Sequence, residues 1–187
     1  KFETSGRYMD IDGDGIPYRT VMGNQDPRAA YFTRGTGHNE YGNYSEDPKN
    51  WSDILTRIGK KFTNGVENLP EPVITKARQE TSLAIIGMGS TDSALLETQE
   101  KLAEAGIPVD YMRVRSIPCD AIVREFIASH ERCYVLELNR DGQLCQIMKL
   151  EISEYSEKLM SISEVGGLPM TAEWATASIL EMEQKNG

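Results

Sequence analysis

The sequence predicts an α/β protein with three layers, in which a mostly parallel sheet carries helices on both faces and follows an irregular arm. Two observations support this fold class. Short apolar segments alternate with amphipathic helical segments from 81 to 187. Such strand–helix–strand repetition lays successive strands side by side in parallel. The first 49 residues, by contrast, show almost no hydrophobic period.

The arm, residues 1–49, is rich in Gly, Asp, Asn, Tyr and Thr. A stretch of this length without regular structure is unusual in a compact domain unless it is functional or packs against a partner. Residues 50–80 are predicted to form an amphipathic helix and a linker, because the apolar residues of 50–66 recur at helical spacing. These residues are Trp51, Ile54, Leu55, Ile58 and Phe62.

Residues 81–187 form the predicted α/β domain. Short apolar runs predict strands over 82–88, 109–115, 132–138 and 158–165. Helices are predicted over 89–106, 119–130, 139–151 and 171–185. The first helix can be capped by Ser90, Thr91 or Asp92 and ends at a glycine. In sheets of this kind, function concentrates at the carboxyl ends of the strands.

The composition argues against several classes of function. Lys+Arg 20 against Asp+Glu 29 gives a formal net charge of −9, which disfavours binding to nucleic acid or to an anionic membrane. The three cysteines form no CxxC pair, so neither a zinc ribbon nor a cysteine-held iron–sulfur cluster is indicated. They are interpreted as reduced thiols in the cytoplasm.

The ends and apolar runs of the chain give two further expectations. The longest apolar run, 83–88, is far too short to span a bilayer, and no signal peptide is visible. The chain begins at Lys1 without an initiator methionine, which suggests a piece of a longer protein.

An acidic turn near the start of the chain resembles the beginning of a calcium-binding EF-hand loop. Asp10, Asp12 and Asp14 alternate and are followed by glycine, as that loop requires. Pro17 and Val21 then stand where a backbone donor and a bidentate Glu are needed. A solvated turn, in which the aspartates bond to nearby amides, is the favoured interpretation.

The same letters contain "GDG" at 13–15 with Asn43 downstream, a spacing similar to the thiamine-diphosphate and magnesium motif of thiamine enzymes. In that motif the Asp follows a buried strand and a helix comes soon after. Here proline and turn residues stand where the helix is needed, which favours a chance match.

A glycine-rich loop, "YFTRGTGHNEYGNYSED" at 31–47, is the first candidate site. Glycines allow close backbone approach, and His and Glu exchange protons near neutral pH. No Ser or Cys nucleophile stands beside the histidine. The candidate residues, close to an active site or at a subunit interface, are Arg34, Thr36, Gly37, His38, Asn39 and Glu40.

A second candidate site lies at the carboxyl end of the predicted strand 132–138. Its polar residues are Glu137, Asn139, Arg140, Asp141 and Gln143. Binding a ligand or another subunit is one interpretation. Helix capping with a solvated rim is the other, and the sequence leaves the two open.

Two weaker patterns receive structural interpretations. "IIGMGSTD" at 85–92 is a Gly-rich strand–helix turn whose amides could hold a phosphate, but Asp92 stands where the fingerprint requires glycine and would repel an anion. His130 ends a predicted helix, where charge–dipole interaction and capping are its expected roles.

Five motifs in order carry a resemblance over essentially the whole chain: "DGDGIPYRT", "YFTRGTGHNEYG", "GSTDSA", "FIASHERCYVLELNRDGQL" and "GGLPMTAEW". Together they resemble the C-terminal part of the alpha subunit of 2-oxoacid:ferredoxin oxidoreductases, especially the 2-oxoglutarate-type enzymes. The resemblance implies a transketolase C-terminal-like domain over 81–187, preceded by an arm that links it to a pyrimidine-binding domain.

The resemblance also implies an activity for the complete enzyme, which is oxidative decarboxylation of a 2-oxoacid to an acyl-CoA with reduction of ferredoxin. Thiamine diphosphate, magnesium, an iron–sulfur cluster and coenzyme A are the implied cofactors, and none is expected to be bound by this chain alone. The implied partners are a thiamine-binding beta subunit and ferredoxin, while homo-association stays open.

This chain is therefore expected to be a structural and assembly piece that is inactive alone, with no catalytic residue or metal ligand of its own. His38 and Glu40 are expected to position or line a site, since the cofactor carries most of the chemistry. Two other classes stay open: a stand-alone α/β module that binds a small molecule or nucleotide, and a calcium-dependent interaction domain.

Overall fold

The computed structural model describes residues 6–31 and 35–186. The chain divides into two compact units, Lys1–Asn68 and Leu69–Gly187, referred to below as unit 1 and unit 2. The contact boundary falls between Asn68 and Leu69, whereas the sequence placed boundaries after 49 and after 80. That three-part division of the domains stays a prediction.

Unit 2 is built on a five-stranded mixed sheet. The strands are β1 (Val73–Thr75), β2 (Leu83–Met88), β3 (Asp110–Val114), β4 (Arg132–Glu137) and β5 (Leu159–Ser163). Their order is β1-β3-β2-β4-β5, in which β1 pairs antiparallel with β3 and the other four strands run parallel. The predicted mostly parallel sheet is confirmed. The short edge strand β1 lies in the segment that the sequence assigned to a linker.

Four helices cover the two faces of this sheet. They are α2 (Asp92–Glu104), α3 (Ala121–Ala128), α4 (Gln143–Glu151) and α5 (Ala172–Asn186). Buried residues of α2 and α5 share one apolar cluster, and those of α3 and α4 share the other. The predicted three-layer α/β class is therefore confirmed.

The central strands send alternate side chains into the two clusters. In β2, Ala84 and Ile86 join the cluster of α3 and α4, while Ile85 joins that of α2 and α5. In β4, Val135 joins the cluster of α3 and α4, while Tyr134 joins that of α2 and α5. Because both faces of a parallel sheet are buried, its strands appear in the sequence as continuous apolar runs, which is why these strands were predicted within one or two residues.

Helix α4 begins later than the predicted start at 139. Gly142 takes the left-handed conformation, with φ of 63°, immediately before the helix, and a Cβ there would lie 2.4 Å from Ser161 Oγ. Residues 139–141 consequently form a turn rather than helix. Their side chains project at the carboxyl edge of the sheet, where the second candidate site was predicted.

The described residues of unit 1 include one long helix, α1 (Pro48–Gly65), and two short 3-10 turns. Asp47 caps α1 by accepting a bond from the Lys49 amide, and a proline occupies the first turn. The helix predicted from apolar spacing is thus confirmed, but none of its residues is buried. Across the described part of the chain, no helix is both long and apolar enough to cross a membrane.

Candidate functional site

The carboxyl edge of the sheet in unit 2 holds a shallow cavity of about 520 Å³. It lies beside the carboxyl ends of β2 and β4. The chain connects β2 to β3 on one side of β2, whereas β4 pairs with β2 on its other side. Such a reversal of strand order is a topological switch point, where open α/β sheets bind ligands. Its lining mixes polar and apolar groups. The lining residues are Ser90, Leu138, Asn139, Arg140, Glu164, Val165, Gly167, Leu168 and Pro169.

Glu137 ends β4 and is directed inward at the start of α4. Its two carboxylate oxygens accept bonds from the Leu144 amide at 2.9 Å and the Cys145 amide at 3.1 Å. These amides belong to the first turn of the helix, which has no intrahelical acceptor for them. Helix capping therefore occupies Glu137, and its carboxylate stabilises the junction between strand and helix.

The other predicted residues of this edge lie in the exposed turn. Asn139 accepts a bond from the Asp141 amide and donates to Gln143, while Arg140 pairs with the Asp141 carboxylate at 2.7 Å. An exposed pair between neighbouring residues contributes little to stability. Asn139, Arg140 and Asp141 thus form a polar rim beside the cavity, and a binding role for them stays a prediction.

The Gly-rich turn between β2 and α2 packs tightly against its own helix. A Cβ on Gly87 would lie 2.2 Å from Leu95 Cδ1, so glycine allows the helix to approach the strand. Asp92 Oδ1 accepts from the Tyr111 hydroxyl at 2.8 Å, and its Oδ2 from Arg113 at 3.0 Å. The carboxylate thus stands at the amino end of α2, where a phosphate would need positive potential.

The glycine-rich loop of unit 1 folds back on itself in a narrow turn. The Ser45 amide donates to Gly37 O at 3.1 Å, and His38 forms an isolated bridge with Tyr44. Asn39 Oδ1 accepts from the amides of residues 41 and 43, both at 3.1 Å. Thr36 and Glu40 are exposed, and Arg34 lies outside the described residues.

His38 is buried within this loop. Its ring stacks on Tyr8 with centroids 4.1 Å apart, and Nδ1 lies 2.9 Å from the Asn39 carbonyl oxygen. A carbonyl can only accept, so Nδ1 carries the proton of this bond. The arrangement holds the imidazole in one orientation.

A small cavity of about 260 Å³ lies beside Tyr8 and Glu40 in unit 1. Arg57 of α1 borders it, donates to the Gly15 carbonyl at 2.9 Å, and lies 5.9 Å from the Tyr8 ring. Burial lowers the pKa of Arg57, although the charge of Asp10 works in the opposite direction. The loop and α1 are therefore joined by polar and aromatic contacts rather than by an apolar core.

The acidic turn of unit 1 uses its carboxylates internally. Asp10 accepts from the Gly15 amide at 3.0 Å, Asp14 from the Ile16 amide at 2.7 Å, and Asp12 from the Tyr18 hydroxyl at 2.6 Å. This is the turn hydrogen bonding that the sequence favoured. Among the described residues, no group of three or more His, Cys, Asp or Glu side chains converges as metal ligands would.

A hydrogen-bonded cluster around the buried carboxylate of Asp110, at the opposite, amino-terminal edge of the sheet, was not predicted. Asp110 opens β3 and accepts from Lys76 Nζ at 2.6 Å and the Ala77 amide at 2.8 Å, while His130 Nε2 lies 3.1 Å from its Oδ2. Burial raises the pKa of Asp110, but the three bonds outweigh it and hold that pKa below its usual value.

His130 does more than the predicted capping. Its Nδ1 lies 2.6 Å from the Phe126 carbonyl oxygen, four residues earlier, as a helix cap would. The ring is also buried and reaches Asp110 across 20 positions of sequence. The only sequence signal for this contact is an aspartate at the start of an otherwise apolar strand.

The chain is similar in sequence to known alpha subunits of 2-oxoacid:ferredoxin oxidoreductases. The chain is 28% identical over 168 residues to the alpha subunit of 2-oxoacid:ferredoxin oxidoreductase 2 of Aeropyrum pernix, covering 88% of this chain and 25% of that subunit. It is 26% identical over 181 residues to the corresponding alpha subunit of Saccharolobus solfataricus, covering 95% of this chain and 28% of that one.

A solved structure extends the similarity to three dimensions. The 2-oxoglutarate:ferredoxin oxidoreductase of Magnetococcus marinus, solved with 2-oxoglutarate, coenzyme A and succinyl-CoA bound, matches 95% of this chain with a TM-score of 0.76 and 26% identity. This chain resembles 2-oxoacid:ferredoxin oxidoreductase alpha subunits. The resemblance inferred from the five motifs is confirmed.

The match covers only part of each of these proteins. The chain spans about a quarter of the length of the curated alpha subunits it matches, and 30% of the solved chain. No protein-family model matches the chain.

Proposed function

We propose that this chain is the C-terminal part of the alpha subunit of a 2-oxoacid:ferredoxin oxidoreductase. The observation that carries the proposal is the match of 95% of the chain, at a TM-score of 0.76, to the 2-oxoglutarate enzyme of Magnetococcus marinus. The complete enzyme would oxidise and decarboxylate a 2-oxoacid, with 2-oxoglutarate favoured, to form an acyl-CoA and reduce ferredoxin.

Within that enzyme this chain would support structure and assembly and would be inactive alone. Its cysteines do not fit an iron–sulfur cluster, since such clusters need several converging cysteine ligands and no three Cys, His, Asp or Glu side chains converge among the described residues. Burial raises the pKa of Cys119 and of Cys133 to about 12, and it also raises that of Cys145. These thiols keep their protons near neutral pH.

The acidic turn does not fit a thiamine diphosphate and magnesium site either. The Asp14 carboxylate accepts the amide two residues ahead of it, inside a turn rather than between a buried strand and a helix. We therefore assign thiamine diphosphate, magnesium, the iron–sulfur cluster and coenzyme A to other parts of the complete enzyme. The proposed partners are its beta subunit and ferredoxin, in the cytoplasm.

The glycine-rich loop, including Arg34, Thr36, Gly37, His38, Asn39 and Glu40, is the proposed contact of this chain with the active site or with a subunit. The stack on Tyr8 and the bond to the Asn39 carbonyl favour a positioning role for His38 over proton transfer. The rim formed by Asn139, Arg140 and Asp141 is the proposed second contact.

The test uses the full-length subunit that contains this chain, co-expressed with its beta subunit. CoA-dependent reduction of a viologen dye is measured with pyruvate, 2-oxoglutarate and branched 2-oxoacids. Activity with one of these is expected, and 2-oxoglutarate is expected to react fastest. A complex that retains thiamine and iron but reduces no dye with any of them would refute the proposed function.

A further inference from the structure

Helix α1 carries an apolar stripe that the described residues leave open to solvent. The stripe consists of Trp51, Leu55, Ile58 and Phe62, which recur every three or four residues and so lie along one side of the helix. Trp51 is 52% exposed, Leu55 51% and Phe62 55%, and Ile58 is partly buried. Scattered exposed apolar residues are ordinary, whereas a continuous stripe of this kind marks a contact surface.

A different side of α1 makes hydrogen bonds within unit 1. Arg57 donates to the Gly15 carbonyl at 2.9 Å, and Asn64 donates to the Asp14 carbonyl at 2.8 Å. At about 100° per residue, Arg57 lies roughly 130° and Asn64 roughly 150° around the helix from the centre of the stripe. The acidic turn and the stripe therefore use different sides of α1, and each side can be covered independently.

The described residues of unit 1 form no apolar core that would explain this helix. In the described part of unit 1, the buried residues are His38 and three glycines, and no hydrophobic side chain is buried. Helices in proteins gain most of their stability from packing an apolar face against other parts of the structure. The sequence of α1 therefore fits a helix that completes its packing against further polypeptide.

We propose that this polypeptide is the remainder of the same alpha subunit, docked on the stripe formed by Trp51, Leu55, Ile58 and Phe62. The inference rests on the proposed function, under which the matched subunits are about four times as long as the aligned part of this chain. A half-exposed row of large apolar side chains is typical of permanent contacts, which resemble a domain core cut in two.

The experiment compares amide hydrogen exchange of α1 in two proteins, the 187-residue chain and the full-length alpha subunit without its beta subunit. Exchange in α1 is expected to be about tenfold slower or more in the full-length subunit, because docking removes local opening of the helix. Equal exchange in both proteins would overturn the inference. Slowing that appears only after the beta subunit is added would also overturn it, because the occupant would then be another chain.

A variant of the full-length subunit tests the stripe itself. The triple change Trp51→Gln, Leu55→Gln and Phe62→Gln removes the apolar surface. It places glutamine, a good helix former, at each of the three positions. It is expected to return exchange in α1 to the rate seen in the 187-residue chain. Leu150→Gln, at an 81% exposed position of α4, is the matched control and should leave α1 unchanged.

These outcomes are separate from those of the dye assay. Slow exchange in α1 of the alpha subunit, together with no dye reduction by its thiamine- and iron-containing complex with the beta subunit, would sustain the docking surface while refuting the proposed function. Fast exchange in an active enzyme would do the reverse.

Discussion

The two units of this chain are stabilised by different physical means. In unit 2, apolar side chains fill both faces of a five-stranded sheet. In unit 1, the described residues bury no hydrophobic side chain, and the chain is held by carboxylate and amide side chains that accept backbone amides. A net hydrogen bond contributes about 1 kcal/mol, far less than a buried large apolar side chain with its packing.

This difference predicts which substitutions should alter the stability of each unit. Unit 2 should respond strongly to single substitutions in its interior and little to its surroundings. Unit 1 should tolerate single substitutions better, yet depend on what covers it.

Removing the buried carboxylate of unit 2 should have the largest effect. Asp110→Ala leaves Lys76 and His130 without their shared partner, at a position whose side chain is only 8% exposed. A loss of about 3 kcal/mol in the free energy of unfolding is expected, because a carboxylate that accepts three hydrogen bonds is removed and the buried His130 loses one of its partners. Urea denaturation measures it.

The matched control for that change is Asp53→Ala in unit 1. Asp53 pairs with Lys49 on the exposed surface of α1 and should change stability by less than about 0.5 kcal/mol. Equal losses for the two variants would remove the contrast between the units.

The same carboxylate predicts a pH dependence. The pKa of Asp110 is lower in the folded chain than in the unfolded chain. Its contribution to the free energy of unfolding is therefore complete at pH values above the unfolded-state pKa. That contribution is lost as the pH falls through the folded-state pKa. The difference in Tm between the native chain and Asp110→Asn should therefore narrow below about pH 4. A difference that stays constant from pH 7 to pH 3 would contradict the assignment.

A bulky residue at the contact between β2 and α2 should cause the next largest loss of stability. Gly87→Val places methyl groups against Leu95 and Thr91, where even a Cβ would lie 2.2 Å and 2.7 Å from their nearest atoms. Overpacking of this kind costs about 2 kcal/mol. Thermal and urea unfolding should both report the loss, and an unchanged midpoint would show that α2 can move away from β2 freely.

The smallest effect is expected in α1, where a substitution should increase the stability of the helix. Gly59→Ala adds a methyl group where nothing lies within 4 Å, and alanine is the better helix former. Slower amide exchange confined to α1, equivalent to about 0.5 kcal/mol, should result. If the substitution instead destabilised α1, a close contact at Gly59 would be indicated.

How far the sequence predicts this structure also differs between the units. The strands from β2 to β5 follow directly from their apolar runs, because both faces are buried. Strand β1 was missed because three residues that follow a proline-rich segment gain their structure only by pairing with β3. The helix start at Gln143 was placed too early because Gly142 takes a left-handed conformation that no apolar period reveals.

The candidate sites were less predictable, since they depend on contacts between distant residues. The sequence identified Asp92 as an obstacle to phosphate binding, but the bonds to Tyr111 and Arg113 cross 19 and 21 positions. The partnership of Asp110 with His130 likewise crosses 20 positions. Capping by Glu137 was one of two open interpretations, and only the geometry of α4 decides that its carboxylate is occupied.

The strand order has a consequence for how the nascent chain assembles. Strand β2 emerges first among the parallel strands and occupies the centre, with β3 on one side and β4 on the other. Each later strand therefore joins an edge that has already been synthesised, and none has to insert between two others. Strand β1 alone must wait for a partner made later, and it is the shortest. The sheet can thus grow outward from β2 as translation proceeds.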